Sequence, residues 1–165
     1  MKDNVFIDEY ISPNIYDHGK QFYDAAKVLD ASDLSLTPPI AVCLSFSIEM
    51  FLKCLKATKK YTEKIGHTYC DLYDETLVKP KGAGHDLVAL FDKLPEELTT
   101  EMNEQFCSMY RKTLRDELIN IKSVFIDWRY QYEGKTYVLH SSTLRNVADF
   151  FAEFSKQKIR AQYGQ

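Results

Sequence analysis

The chain has 165 residues, 45% of them hydrophobic and 27% charged, with 6 Gly and 5 Pro; it is long enough to bury one core, too short for two comfortable domains, and unlike a disordered polymer. A formal net charge of −3 argues against an extended basic surface for duplex DNA, because such affinity is built from many Lys and Arg contacts to phosphate. One domain spanning residues 1–165 is expected, with room for a small local anion pocket.

The aromatic share of 13% includes 11 Tyr and 10 Phe, so bulky rings should dominate the core. The first residues, MKDNVFIDEY, carry acids where a signal peptide would be apolar. Cys43, Cys54, Cys70 and Cys107 show no CxxC spacing and read as core thiols of a reducing compartment, so the expected location is cytoplasmic. His67 and Cys70 form an HxxC without a second ligand pair nearby, and neither a metal nor a cofactor is expected.

In chain order, Ser12-Pro13 places a cap and then a proline where helices begin, and Ile15, Phe22, Ala26 and Leu29 follow at helical spacing, predicting a helix over Pro13–Asp30. ASDLSLTPP is turn chemistry. Pro39 then opens a second helix through residues 40–60, on which Ile40, Leu44, Ile48, Phe51 and Leu55 share one face and Phe46, Met50 and Cys54 spread apolar surface further round. Ser45, Ser47 and Glu49 interrupt its apolar run, which is shorter than a bilayer span; a buried core helix is expected, with no membrane. Residues 61–84 read as a long loop with a short extended piece. A brief helix over residues 85–93 ends at Pro95, which opens PEELTTEMNEQFCSMYRK as another. Leu114, Leu118, Ile121, Phe125, Trp128 and Tyr132 are spaced 4, 3, 4, 3, 4 along the chain, the seam of one long packed helix. It should stop near Gly134. KTYVLH reads as an extended or hairpin-like segment, and Ser141 or Ser142 as the cap of a final helix through Leu144, Val147, Phe151 and Phe154. The fold class predicted is all-α, about five or six helices with at most a short β-hairpin.

Chemistry is less pronounced. The chain has no GxGxxG and no GxxxxGK[ST]. The Gly-rich entry before His85 could offer helix amides to an anion, although a plain loop has the same composition. Ser45, Glu49, Lys53 and Lys56 form a polar stripe on the apolar second helix. Glu49 and Lys53 are either a surface i, i+4 pair or a pair in a crease, where charge must be matched to be tolerated. In DWRYQYE, Arg129 and Glu133 are again i, i+4; Arg129 is either a solvated ion pair or a fork for phosphate or carboxylate, with Tyr130 or Trp128 as a stacking plane. His18, His67, His85 and His140 lie in different segments without a nucleophile motif, and no catalytic residue is assigned.

Taken together, SFSIEMFLKCLKA, GHDLVALFDKLP and FIDWRYQYEG resemble the HEPN domain superfamily (higher eukaryotes and prokaryotes nucleotide-binding). The resemblance spans most of the chain up to Tyr137. It implies a bundle of four or five helices, homodimerisation across the long helices, and a role in toxin–antitoxin, abortive-infection or other RNA-targeting defence, with a cognate protein as a further partner. Many members of the superfamily are metal-independent ribonucleases marked by an Arg followed after four to six residues by a His. This chain departs from that pattern: Gly134, Lys135 and Thr136 stand where the histidine after Arg129 would be, and Lys and Thr are poor proton shuttles near neutral pH. Ligand-binding residues carried over are Glu49, Lys53, His85, Arg129, Tyr130 and Glu133, expected to meet in a polar pocket. The resemblance thus implies a nucleotide-, RNA- or partner-binding module lacking appreciable ribonuclease activity. The alternatives are a ribonuclease using His85 and Arg129, and a structural dimerisation subunit.

Overall fold

A computed structural model describes residues 5–63, 73–80, 84–134, 136 and 138–164. Its elements are β1 (Val5–Tyr10), α1 (Pro13–Asp30), α2 (Thr37–Cys54), β2 (Ala57–Glu63), β3 (Tyr73–Pro80), α3 (Leu87–Asp92), α4 (Glu96–Tyr110), α5 (Leu114–Ile121), α6 (Val124–Arg129), a 3-10 turn over Gln131–Glu133, and α7 (Ser141–Tyr163). The chain is a helical bundle with a small antiparallel sheet. Counting α5 and α6 as the single helix that the spacing predicts, the described residues hold six helices.

The bundle is organised on α2, which packs against α1, α3, α6 and α7. Leu44, Ile48, Phe51 and Leu55, the face read from the sequence, are buried there. By length and apolarity α2 would pass for a membrane span, yet half of its residues are buried inside this fold. Ser12 caps α1 by accepting from the Ile15 amide at 3.3 Å. The Tyr16 hydroxyl crosses to the Ala152 carbonyl of α7 at 3.1 Å, and burial pushes this phenol up to about 12, so it stays a donor.

Four local expectations are corrected. Helix α2 stops at Cys54 instead of running to residue 60, because Ala57–Glu63 becomes the central strand of the sheet, paired with β1 on one side and β3 on the other. The N-terminal VFIDEY is rich in β-branched and aromatic residues, but its strand partner lies beyond the α1–α2 hairpin, so local pattern alone does not reveal it. The long seam helix breaks between Ile121 and Val124, where the Ser123 hydroxyl donates to Asp127 and the Ser123 carbonyl starts a new turn. Leu114, Leu118 and Ile121 are buried, whereas Tyr132 is exposed. Finally, none of the described residues between 131 and 140 is in a strand, and Ser141 and Ser142 lie inside α7, with His140 at its cap position. Of the cysteines read as core thiols, Cys54 is buried, Cys43 half-buried and Cys107 exposed, all three free; Cys70 and the HxxC lie outside the described residues.

Glu117, next to Leu118 on α5, is buried between α5 and α7 and accepts from Thr143 at 2.7 Å and Lys112 at 3.0 Å. Burial pushes its carboxyl up, but these hydrogen bonds and the Lys112 charge together outweigh it and hold the group below its ordinary value of 4.5. A depressed folded value means that the stabilisation is present above the unfolded value and lost as pH falls through the folded one. Urea titrations between pH 7 and about pH 3 should therefore show a flatter acid limb for Glu117→Gln than for the parent; parallel limbs would refute the role. A second test concerns Gly19, where a Cβ would stand 2.7 Å from Met50 Cβ and 3.3 Å from the Phe51 ring. Helix propensity alone favours Ala by about 1 kcal/mol, yet Gly19→Ala should destabilise by about 1–3 kcal/mol, because the α1–α2 approach has no room. A gain in urea midpoint would contradict that close packing.

Candidate functional site

The site is built on one turn of α2. Glu49 faces the bundle and is 1% exposed, and its two oxygens have different partners. Lys53 Nζ donates to Oε1 at 2.6 Å and is itself 11% exposed at the side chain. His85 Nδ1 lies 2.8 Å from Oε2, with a side chain 46% exposed. Ionised Glu49 only accepts, so Nδ1 carries the hydrogen and Nε2 is left as the second ring nitrogen. Of the two readings of the polar stripe, the crease is the one found: Glu49 and Lys53 are not a solvated pair. Ser45, one turn earlier, is also buried, and its hydroxyl has no partner among the described residues.

His85 stands between a glycine and a helix cap. Gly84 has φ +119, a conformation that side chains rarely adopt. Asp86 caps α3, its carboxylate accepting from Val88 N at 2.9 Å and Ala89 N at 3.1 Å, and Leu87, Leu90 and Phe91 anchor that helix in the core. Of the two readings of this Gly-rich entry the plain one fits better, since Asp86 already takes the Val88 and Ala89 amides. GHD divides into a backbone turn, a site side chain and a helix cap.

Arg129 joins through a ring rather than a carboxylate. The half-buried Phe125 of α6 has its ring 5.0 Å from that of His85, and the Arg129 guanidinium lies 5.0 Å from the same Phe125 centroid. On its other contacts Arg129 sits 5.2 Å from the Tyr130 ring, and its Nη2 donates to the Tyr130 hydroxyl at 3.0 Å. Such cation–ring distances are favourable. Four of the six residues named from sequence, Glu49, Lys53, His85 and Arg129, thus converge directly or across Phe125, and Tyr130 borders Arg129. Glu133 is exposed at the end of the 3-10 turn. Trp128 packs against the core rather than offering a stacking plane.

Sequence reasoning missed the rings that connect the cluster. Phe46 stacks on Phe125 at 5.5 Å and meets Phe22 at 4.6 Å, and His18 contacts both Phe22 and Phe46. The available signal was Phe46, which falls off the buried face of the α2 wheel. Chemically, the ion pair of Glu49 and Lys53 leaves the guanidinium as a positive charge, to which His85 adds when protonated. The arrangement can donate hydrogen bonds to an anion beside an aromatic floor.

No family model, curated protein or solved structure matches this chain.

Burial, not spacing, should decide what the Glu49–Lys53 pair contributes. Lys53→Ala strips a carboxylate held in the core of its nearest cation and should cost roughly 3 kcal/mol. Lys20→Ala removes an i, i+4 partner from Asp24 on an exposed face and should change stability by less than about 0.5 kcal/mol. Equal effects of the two substitutions in urea denaturation would show that the crease is solvated.

Proposed function

We propose that this chain is a HEPN-like binding module for a nucleotide or RNA, acting in a prokaryotic stress or defence setting such as toxin–antitoxin or abortive infection. The observation that carries the reading is the buried Glu49 carboxylate holding Lys53 and His85 beside an arginine stacked on Phe125. A buried carboxylate with two basic partners costs stability unless every group is matched, and here it orients donors at a surface that also offers ring faces. Phosphate suits the Arg129 fork and the imidazole, and a base suits the rings. Self-association belongs to the same proposal: the flank of α2 carrying Val42, Cys43, Phe46 and Met50 is only half-buried, which suits a second copy or a cognate protein.

The Glu49–His85 bond favours one second reading. A carboxylate on Nδ1 turns Nε2 outward as a proton-transfer atom, so His85 could serve RNA cleavage with Arg129 stabilising the phosphorane. A permanently protonated guanidinium cannot be the second titrating group, and binding without appreciable cleavage is the expected outcome.

Trp128 is the only tryptophan of the chain and adjoins Arg129, so its fluorescence reports ligand at the site. Adenosine or uridine monophosphate should perturb it saturably, and Arg129→Ala should weaken binding by about ten- to a hundredfold through loss of charge-assisted bonds. Absence of binding, or binding indifferent to the substitution, would remove the proposal. Labelled RNA incubated with excess protein in EDTA should stay intact; cleavage abolished by His85→Ala would install the ribonuclease reading instead.

A further inference from the structure

We infer that Tyr130 and Tyr132 extend this site into a stacking ladder for the unpaired bases of a single-stranded nucleic acid, an inference that rests on the nucleotide-binding reading above. The rungs are continuous. From the His85 ring to Phe125 is 5.0 Å, from Phe125 to the Arg129 guanidinium 5.0 Å, from Arg129 to the Tyr130 ring 5.2 Å, and from Tyr130 to Tyr132 6.3 Å at 56°. The last two rungs are exposed, Tyr130 at 37% and Tyr132 at 80%. A lone exposed tyrosine needs no explanation. A series of rings with a guanidinium set between two of them, closed at one end by a buried carboxylate and open at the other, has the composition that binds single strands, with bases on π faces and phosphate on the interleaved cation.

The open end is also held in place. Residues Gln131–Glu133 form a 3-10 turn in which Glu133 N donates to the Tyr130 carbonyl at 3.0 Å and Gly134 N to the Gln131 carbonyl at 3.2 Å. Gly134 closes it at φ +80. Tyr132 is therefore presented on a closed turn immediately after α6. Acidic groups on the same segment, Asp127 and Glu133, disfavour phosphate on their side and leave the path over His85 and Arg129; the Asp127 carboxylate is already engaged by the Ser123 hydroxyl. A duplex hides its base faces in the stack, and the overall charge of −3 supplies little attraction for its backbone, so the ladder selects unpaired bases. Stacking accepts every base, so sequence preference is weak.

The experiment measures anisotropy of a labelled single-stranded oligonucleotide of about a dozen residues, the same strand annealed to its complement, and an abasic version, beside monophosphate binding read at Trp128. Tyr132→Ala should weaken the single strand about 5- to 150-fold, the range for one lost base–aromatic stack. Tyr132→Trp should restore it, monophosphate binding should not move, and duplex and abasic strands should bind more weakly than the intact single strand. The substituted side chain lies mostly in solvent, so folding is not at stake, and circular dichroism verifies it. An abasic strand bound as tightly as the intact one, or a Tyr132→Ala protein with parental strand affinity, overturns the ladder. If monophosphate still binds and depends on Arg129 in that case, the site stands without its extension. If the parent binds neither monophosphate nor strand, the site and the ladder fall together.

Discussion

A carboxylate on the most apolar helix of the chain has to be neutralised where it stands, and the arrangement around Glu49 follows from that requirement. One oxygen is matched from within α2 by Lys53, a turn later. The other is matched from outside by His85, which fixes where the chain must enter α3. Taking a charge out of water costs several kcal/mol unless it is paired and hydrogen-bonded. A hydrophobic residue at Glu49 would fill the space more cheaply, so retaining the acid makes sense if its partners are used.

The same helix explains why the rest of the bundle is close. Gly19 lets α1 lie against Met50 and Phe51, and Tyr16 and Tyr23 then set their rings against Phe51, one tilted and one edge-on. Their hydroxyls reach past it to α7, Tyr16 to the Ala152 carbonyl and Tyr23 to Asp149 at 2.6 Å. Because α1 and α7 are tied to each other as well as to α2, the α2 face bearing Glu49 is the side left for α3 and α6. The site lies where those two short helices meet it.

Much of the helical framework was legible because it is written in local signals. Ser12-Pro13 starts α1, Pro95 and two glutamates start α4, and the buried face of α2 is the one its wheel displays. What was not legible depends on partners remote in sequence. VFIDEY is a strand only because residues 57–63 return beside it after two helices, and the break at Ser123 lies inside an unbroken apolar spacing that carries no sign of it. The candidate site divides in the same way. Glu49 and Lys53 were readable as a pair from their spacing, and the stripe flanked by apolar residues hinted at a crease. That Phe125 would stand between His85 and Arg129 was not readable, because its place in the seam gave it the plain role of core residue.

The way Arg129 is held bears most directly on chemistry. Arg115 and Arg145 each engage a carboxylate with two nitrogens, Asp92 at 2.9 and 2.8 Å and Asp30 at 3.2 and 2.6 Å. Each of those carboxyls is held below its usual range first by the hydrogen bond from its arginine, so these are matched pairs that fasten one helix to another. Arg129 is oriented instead by the rings of Phe125 and Tyr130 and by one bond to a phenol. A ring face positions a guanidinium through its quadrupole without cancelling its charge. The positive charge is thus held in place by contacts that do not neutralise it, whereas a carboxylate at the same spot would have fixed the side chain equally well and cancelled the charge.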